Sequence, residues 1–265
     1  MIIDAHLHLP ADLPDFPSRR LALLSELERN GVDMGIVIAD SAPESTIGST
    51  QDCAALFAGD SRIKVAAGIS PFFCYREQLA LCRDLLEQGK IAGLKLFTGH
   101  EHFFCTDAVL NPVYDLAAAY SVPVLFHTGW DNAQYAAPPR MKELAQSRPQ
   151  NTFVYCHCFY PEAAQCFETL GCCENVYFEL SSVADDPEKL PGIRRALEAA
   201  IPAMPQRFLF GSDFGSCSQK AHLEFAASLN LTAEQRANLM YRNACRVYHL
   251  TGPEPIQKLR QPRSY

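Results

Sequence analysis

Asp4-Ala5-His6-Leu7-His8 places two imidazoles two residues apart within an apolar run. On a strand, alternate side chains point to one face, so His6 and His8 can reach a single point. Neutral imidazole nitrogens ligate divalent first-row metals, zinc above all. Alone, the pair reads equally well as two polar residues at a strand end. Three more residues of suitable chemistry lie at or near the ends of later apolar runs: His127 in Val124-Leu125-Phe126-His127, His157 in Val154-Tyr155-Cys156-His157, and Asp213 in Phe210-Gly211-Ser212-Asp213. A buried, hydrogen-bonded histidine explains any one of them, but a shared metal site explains their common placement.

The elements that would bring these residues together are visible as eight apolar runs, at 2–9, 34–39, 64–70, 92–98, 123–128, 152–158, 176–181 and 207–213. Stretches of helical spacing lie between them, such as 21–30 closed by Gly31, 75–88 closed by Gly89, and 113–120 led by Asn111-Pro112. Near-continuous apolar strands alternating with helices imply a parallel sheet covered by helices. Eight such units in 265 residues predict a single α/β domain, a parallel eight-stranded (β/α)8 TIM barrel. Strand ends converge at the C-terminal mouth of such a barrel, which gives the five residues a meeting place. An open doubly wound sheet is the structural alternative. His6-Leu7-His8-Leu9-Pro10 stands where its Gly-rich phosphate loop would follow the first strand. We place the barrel at 1–250 and a polar, Pro-containing C-terminal extension at 251–265.

A net charge of −7 offers no basic footprint for nucleic acid, so a small-molecule substrate is the expected partner. No apolar run approaches the length of a membrane span, and Met1-Ile2-Ile3-Asp4 enters patterned sequence without a signal core. A cytoplasmic protein without a membrane partner is expected, and assembly into a homo-oligomer is compatible with it. The eleven cysteines are odd in number and lack a Cys-x-x-Cys pair, which favours reduced thiols.

The ordered pieces Asp4-Ala5-His6-Leu7-His8, Gly93-Leu94-Lys95-Leu96, Pro123-Val124-Leu125-Phe126-His127-Thr128-Gly129, Asn175-Val176-Tyr177-Phe178-Glu179, Leu209-Phe210-Gly211-Ser212-Asp213 and Asn243-Ala244-Cys245-Arg246 resemble the amidohydrolase superfamily. Within it they resemble the amidohydrolase-related branch of barrel hydrolases and decarboxylases. The resemblance implies that His6, His8, His127 and Asp213 bind one metal ion, with His157 either a ligand of a second ion or an acid/base beside the first. In binuclear relatives a strand-four lysine is carboxylated and bridges two ions, which would make Lys95 a ligand. As an ammonium, Lys95 would instead pair with Asp213 or hold a substrate carboxylate. Strand parity turns Gly93, Lys95 and Phe97 inward and Leu94 and Leu96 outward. Phe97 departs from many branch members, where a histidine often follows the lysine by two. The implied cofactor is one or two divalent ions, Zn2+ first, with Mn2+ or another first-row metal as alternatives.

That constellation implies a hydrolase acting on a small carbonyl compound (an amide, lactone or ester) through metal-activated water. Asp213 would take the proton and His157 or the metal would stabilise the oxyanion. A non-oxidative decarboxylase on the same scaffold is the first alternative and a non-catalytic metal-binding barrel the second. A related nuclease is disfavoured by Lys95 and the acidic charge. Substrate contacts are expected from the loop Gly99-His100-Glu101-His102, through His100 and His102, and from Trp130, Asp131, Tyr135 and Arg140, with Arg140 as an anion clamp. Each reads equally well as solvated surface. Glu179 is either the partner of a ligand histidine or a buried structural carboxylate. Opposite parity to His157 predicts that Cys156 and Cys158 pack towards the helices.

Overall fold

The computed structural model describes residues 1–130 and 132–251. Eight parallel strands follow one another in chain order: β1 (Ile3–Leu7), β2 (Met34–Ile38), β3 (Ile63–Gly68), β4 (Gly93–Leu96), β5 (Val124–Phe126), β6 (Phe153–Tyr155), β7 (Val176–Glu179) and β8 (Phe208–Leu209). The last returns to the first through hydrogen bonds from Ala5 N to Phe210 O and from Asp213 N to His6 O, both 2.9 Å. The chain is a (β/α)8 barrel, and every expected apolar run coincides with one of its strands, β3 beginning one residue before its run.

Helices α1 (Phe16–Asn30), α2 (Thr50–Leu56), α3 (Tyr75–Glu87), α4 (Asn111–Tyr120), α5 (Pro138–Ser147), α6 (Ala163–Leu170), α7 (Leu190–Ala203) and α8 (Gln219–Ser228) cover the outside. Helix α1 starts earlier than its apolar spacing suggests. The Asp15 carboxylate accepts from Ser18 N, Pro17 occupies the first turn, and Gly31 ends the helix in the left-handed region at φ 66°. Outward-facing strand residues such as Leu94, Leu96, Phe126 and Phe153 pack in the layer between sheet and helices. Ile3, Ala5, Ile36, Leu125, Val154 and Leu209 fill the barrel interior, and Ala244, Val247, Tyr248 and Leu250 of the closing segment join them. Hydrophobic burial thus occupies both layers, leaving the polar residues to the mouth.

Two departures from regular strand geometry aim the functional residues. Between Asp4 and Leu7, β1 carries one more residue than the matching stretch of β2, Gly35 to Val37. Such a bulge re-aims a side chain. Asp4 points outward to Ser212 and Gln219, Ala5 lies in the inner cluster, and His6 also turns inward. At β6 the strand stops at Tyr155, and His157, Cys158 and Phe159 all take positive φ, at 63°, 51° and 59°. Alternation runs from Val154 inside through Tyr155 outside to Cys156 inside and fails only at His157, which corrects the expectation that Cys156 faces the helices. Its thiol joins the inner cluster against Lys95, while Cys158 packs in the outer layer as expected.

All eleven cysteines are free. Among the described residues no helix is long and apolar enough to cross a membrane. Residues 252–265 of the expected C-terminal extension, and Asp131, lie outside the described residues.

Candidate metal centre

Both β1 histidines are held by their Nδ1 atoms. His6 Nδ1 lies 2.6 Å from Glu179 Oε2, and His8 Nδ1 lies 3.1 Å from the Ile38 carbonyl. A carbonyl only accepts, so His8 Nδ1 carries its hydrogen, and the same polarity at the Glu179 carboxylate places one on His6 Nδ1. Burial, reinforced by the positive charge of Lys95, holds His6 well below the usual histidine range, and burial lowers His8 as well. Both rings are therefore neutral with bare Nε2 atoms, yet these stand 3.3 Å apart. Asp213 Oδ1 lies 3.3 Å from His8 Nε2 and 3.7 Å from His6 Nε2, buried and without a hydrogen-bond donor. Burial pushes the Asp213 carboxyl up, but its polar surroundings, the Ser182 hydroxyl and the Lys95 charge among them, leave the group below its ordinary range. Three lone-pair donors thus converge with no proton between them.

A divalent cation fits this arrangement. Metal–ligand bonds of about 2.1 Å place neighbouring donors about 3.0 Å apart in an octahedron and about 3.4 Å in a tetrahedron. The observed spacing is close to the latter. The bond from His6 Nδ1 to Glu179 is the carboxylate–histidine support common behind metal ligands. Glu179 is buried, and burial lifts its carboxyl to about 7 against the opposing hydrogen bond of Ser181. Gly211 leaves room for it, since a Cβ there would stand 2.0 Å from Glu179 Oε1.

The other expected ligands lie apart from this triad. His127 and His157 bond to each other, Nδ1 to Nε2 at 3.1 Å, and burial pushes both rings well below the ordinary histidine value. Only His157 approaches a metal-type cluster, with His6 and Glu179, and among the described residues His127 joins none. Lys95 is buried inside the barrel as parity predicts, but its Nζ lies 3.3 Å from Cys156 Sγ. Asp213 receives Ser182 instead, so the expected Lys95–Asp213 pairing does not form.

Above the triad lies a cavity of about 360 Å³ lined by Gly99, His100, His127, Trp130, Asn132, Ser182, Asp213, Ser216 and Cys217. Trp130 stacks on His127 at 5.6 Å between ring centroids and 17° between planes, and His100 meets the same ring at 4.1 Å. Of the residues expected at the substrate, His100 and Trp130 reach the cavity. His102 and Arg140 do not line it: His102 stacks on Tyr135, and the Arg140 guanidinium lies 4.0 Å from the Phe104 ring centroid. The backbone bond from Cys105 N to Tyr135 O draws the end of the loop beneath this outer cluster.

Ser181 and Ser182 escape the sequence reading. Ser181 shares the inward parity of Glu179 and so was open to discovery by alternation. Ser182 reaches Asp213 only because it takes φ 57°, which no sequence pattern announces.

Comparison with known proteins comes to the same architecture. The family model described as "Amidohydrolase" matches residues 3–250. No protein of curated function matches the sequence. Among solved structures, a zinc-bound amidohydrolase from Burkholderia multivorans is similar with a TM-score of 0.73 and 19% identity, over 95% of this chain and 100% of that one. 4-Oxalomesaconate hydratase from Rhodopseudomonas palustris follows at 0.68 and 16%, over 94% and 96%. 2,6-Dihydroxybenzoate decarboxylase from Rhizobium is similar at 0.66 and 13%, over 95% and 99%. At these identities the likeness speaks for the fold, and the reactions of those proteins differ.

Proposed function

This chain belongs to the amidohydrolase family, and from that premise we propose that it is a metal-dependent hydrolase of a small, uncharged carbonyl compound such as an amide, lactone or ester. The observation that carries this reading is the chemistry of the cavity wall. Among the described residues no lysine or arginine lines it, and Asp213 is the one acidic residue of the described wall. Lys95, the nearest candidate for gripping a substrate carboxylate, is buried against Cys156. A neutral carbonyl compound needs no charged side chain there, whereas a carboxylate would find, among the described residues of the wall, no cationic side chain to pair with beside the metal.

His6, His8 and Asp213 would hold one divalent ion, and the zinc in the Burkholderia relative makes Zn2+ the first choice over Mn2+ or another first-row metal. When bound, such an ion supplies Lewis-acid polarisation of a carbonyl and acidifies water. The chain's own residues do the rest. Glu179 and the Ile38 carbonyl fix both β1 imidazoles with Nε2 forward. The Ser182 hydroxyl donates to Asp213 Oδ2, orienting Oδ1 inward, where the ionised carboxylate can take a proton from water and return it to the leaving group. Trp130 offers the exposed part of its ring as a face for a flat substrate.

A decarboxylase is the second reading, favoured by one observation: Lys95 engages Cys156 and supplies no bridge for a second ion, and a single ion suffices to hold a substrate's oxygens. The test is a panel of neutral lactones, esters and amides beside aromatic carboxylic acids, run on zinc-loaded protein of measured metal content. Hydrolysis of neutral compounds at about one ion per chain is expected. Carbon dioxide from the acids, with the neutral compounds untouched, would replace the hydrolase reading by the decarboxylase. Loaded protein inert to both would favour a non-catalytic barrel.

A further inference from the structure

Behind the metal triad runs a chain of short contacts, of which the proposed reaction uses only the last, between Glu179 and His6. From the cavity inwards it passes from His127 Nδ1 to His157 Nε2 at 3.1 Å, from His157 Nδ1 to Ser181 Oγ at 2.6 Å, and from Ser181 Oγ to Glu179 Oε2 at 2.8 Å. Glu179 Oε2 then meets His6 Nδ1 at 2.6 Å. Ser181 is buried at the centre, and its hydroxyl has one hydrogen to give.

We propose that Ser181 is a positioning residue that sets the hydrogen positions of His157 and, through it, of His127, so that His127 keeps a bare Nε2 at the cavity. The assignment follows by elimination. Glu179 Oε2 already accepts from His6 Nδ1 and so has no hydrogen to give, which means that Ser181 Oγ spends its own hydrogen on that oxygen. At 2.6 Å from that same oxygen, His157 Nδ1 must then be the donor, because two lone pairs would otherwise face each other. A neutral His157 with hydrogen on Nδ1 has a bare Nε2, which obliges His127 Nδ1 to donate across the 3.1 Å contact. The hydrogen of neutral His127 is thereby committed inward. Its Nε2, which makes no hydrogen bond among the described residues, is left in the form that takes a proton or a metal ion and cannot donate to an oxyanion.

This divides the two histidines. His157 is buried, does not line the cavity and has both nitrogens engaged, so it acts through His127. His127 lines the cavity beside Asp213 and presents its bare Nε2 there. The catalytic part of the inference rests on the hydrolase reading, but the hydrogen positions do not.

The experiment is a two-bond proton–nitrogen correlation spectrum of zinc-loaded protein carrying nitrogen-15 histidine, with Ser181→Ala and Ser181→Thr as variants. In the parent, His127 and His157 are expected to show hydrogen on Nδ1. An Nε2 hydrogen on either ring overturns the proposal, and that spectrum decides even if a variant fails to fold. Ser181→Ala is expected to release both rings towards the Nε2 form and to lower kcat about 10–100-fold, the range for partners behind a ligand, with KM within about twofold. Ser181→Thr keeps a hydroxyl and restores the Nδ1 pattern. Unchanged tautomers in Ser181→Ala would remove Ser181 from the role. If the tautomers are as expected while no neutral carbonyl compound is hydrolysed, the hydrolase reading fails and the positioning role stands.

Discussion

His6, His8 and Asp213, at the seam where β8 rejoins β1, turn bare donor atoms towards one another, whereas Lys95, Cys156, His127 and His157, on the β4 to β6 side, pair among themselves. Both groups are buried, save for the half-buried His127, and both mix nitrogen bases with other polar atoms. They differ in where the hydrogens go. On the β1–β8 side the imidazole hydrogens are drawn outward by Ile38 and Glu179, and Ser182 donates its own hydrogen to Asp213 Oδ2 from outside, leaving an acceptor-only pocket. On the other side donors and acceptors alternate, and the network closes without a cation. A metal site is thus recognisable as a deficit of protons as much as by its residue types.

The largest expected effect breaks the first side outright. Replacing His6 and His8 together by alanine should abolish stoichiometric metal binding, with affinity falling by more than about a hundredfold, beyond the range for residues behind the ligands. Elemental analysis showing full metal content would refute the site. Glu179→Gln comes next. It removes the carboxylate behind His6 while leaving the three donors, and metal affinity, read by chelator competition, should fall about 10–100-fold. Unchanged affinity would make Glu179 merely structural.

A pH titration compares the two sides through stability. His6, His8, His127 and His157 are all held neutral by burial in the fold, so protonation favours the unfolded chain as pH falls below their ordinary value of 6.5. Asp4 and Glu179 act in the opposite sense. With folded values near 7, they keep protons that the unfolded chain loses above 3.8 and 4.5. Four imidazoles outweigh two carboxyls between about pH 4.5 and 6.5, so the metal-free protein should lose stability as pH falls through that window. A flat or rising melting temperature from pH 6.5 down to 5 would contradict the neutral, lone-pair-forward imidazoles. The smallest effect is expected outside both groups. His102→Ala and Arg140→Ala should each leave kcat/KM on the best neutral substrate within about threefold, because neither side chain lines the cavity. A tenfold loss would return Arg140 to the role of clamp.

The barrel was legible in the sequence because strand and helix periods are local properties, repeated eight times at intervals that leave few alternatives. The β1 histidines, His127, His157 and Asp213 were legible for a related reason: each lies at or near the end of an apolar run, and barrel topology sends such ends to one mouth. Lys95 yielded its inward direction to parity, since β4 is regular there. Cys156 turned inward against expectation because its parity was counted from His157, whose left-handed backbone leaves the strand, whereas Cys156 still alternates with Val154 and Tyr155.

The sequence by itself determined the fold, the inventory of donor residues and the end of the barrel to which they go. Only the tertiary structure decided which of them converge, that Ser182 rather than Lys95 holds Asp213, and that Ser181 joins Glu179 to His157. Those outcomes depend on a one-residue bulge in β1, on left-handed turns after β6 and at Ser182, and on contacts between atoms far apart in the chain. Displacements of about an ångström there separate a bond from a gap, and no periodicity of the sequence records them.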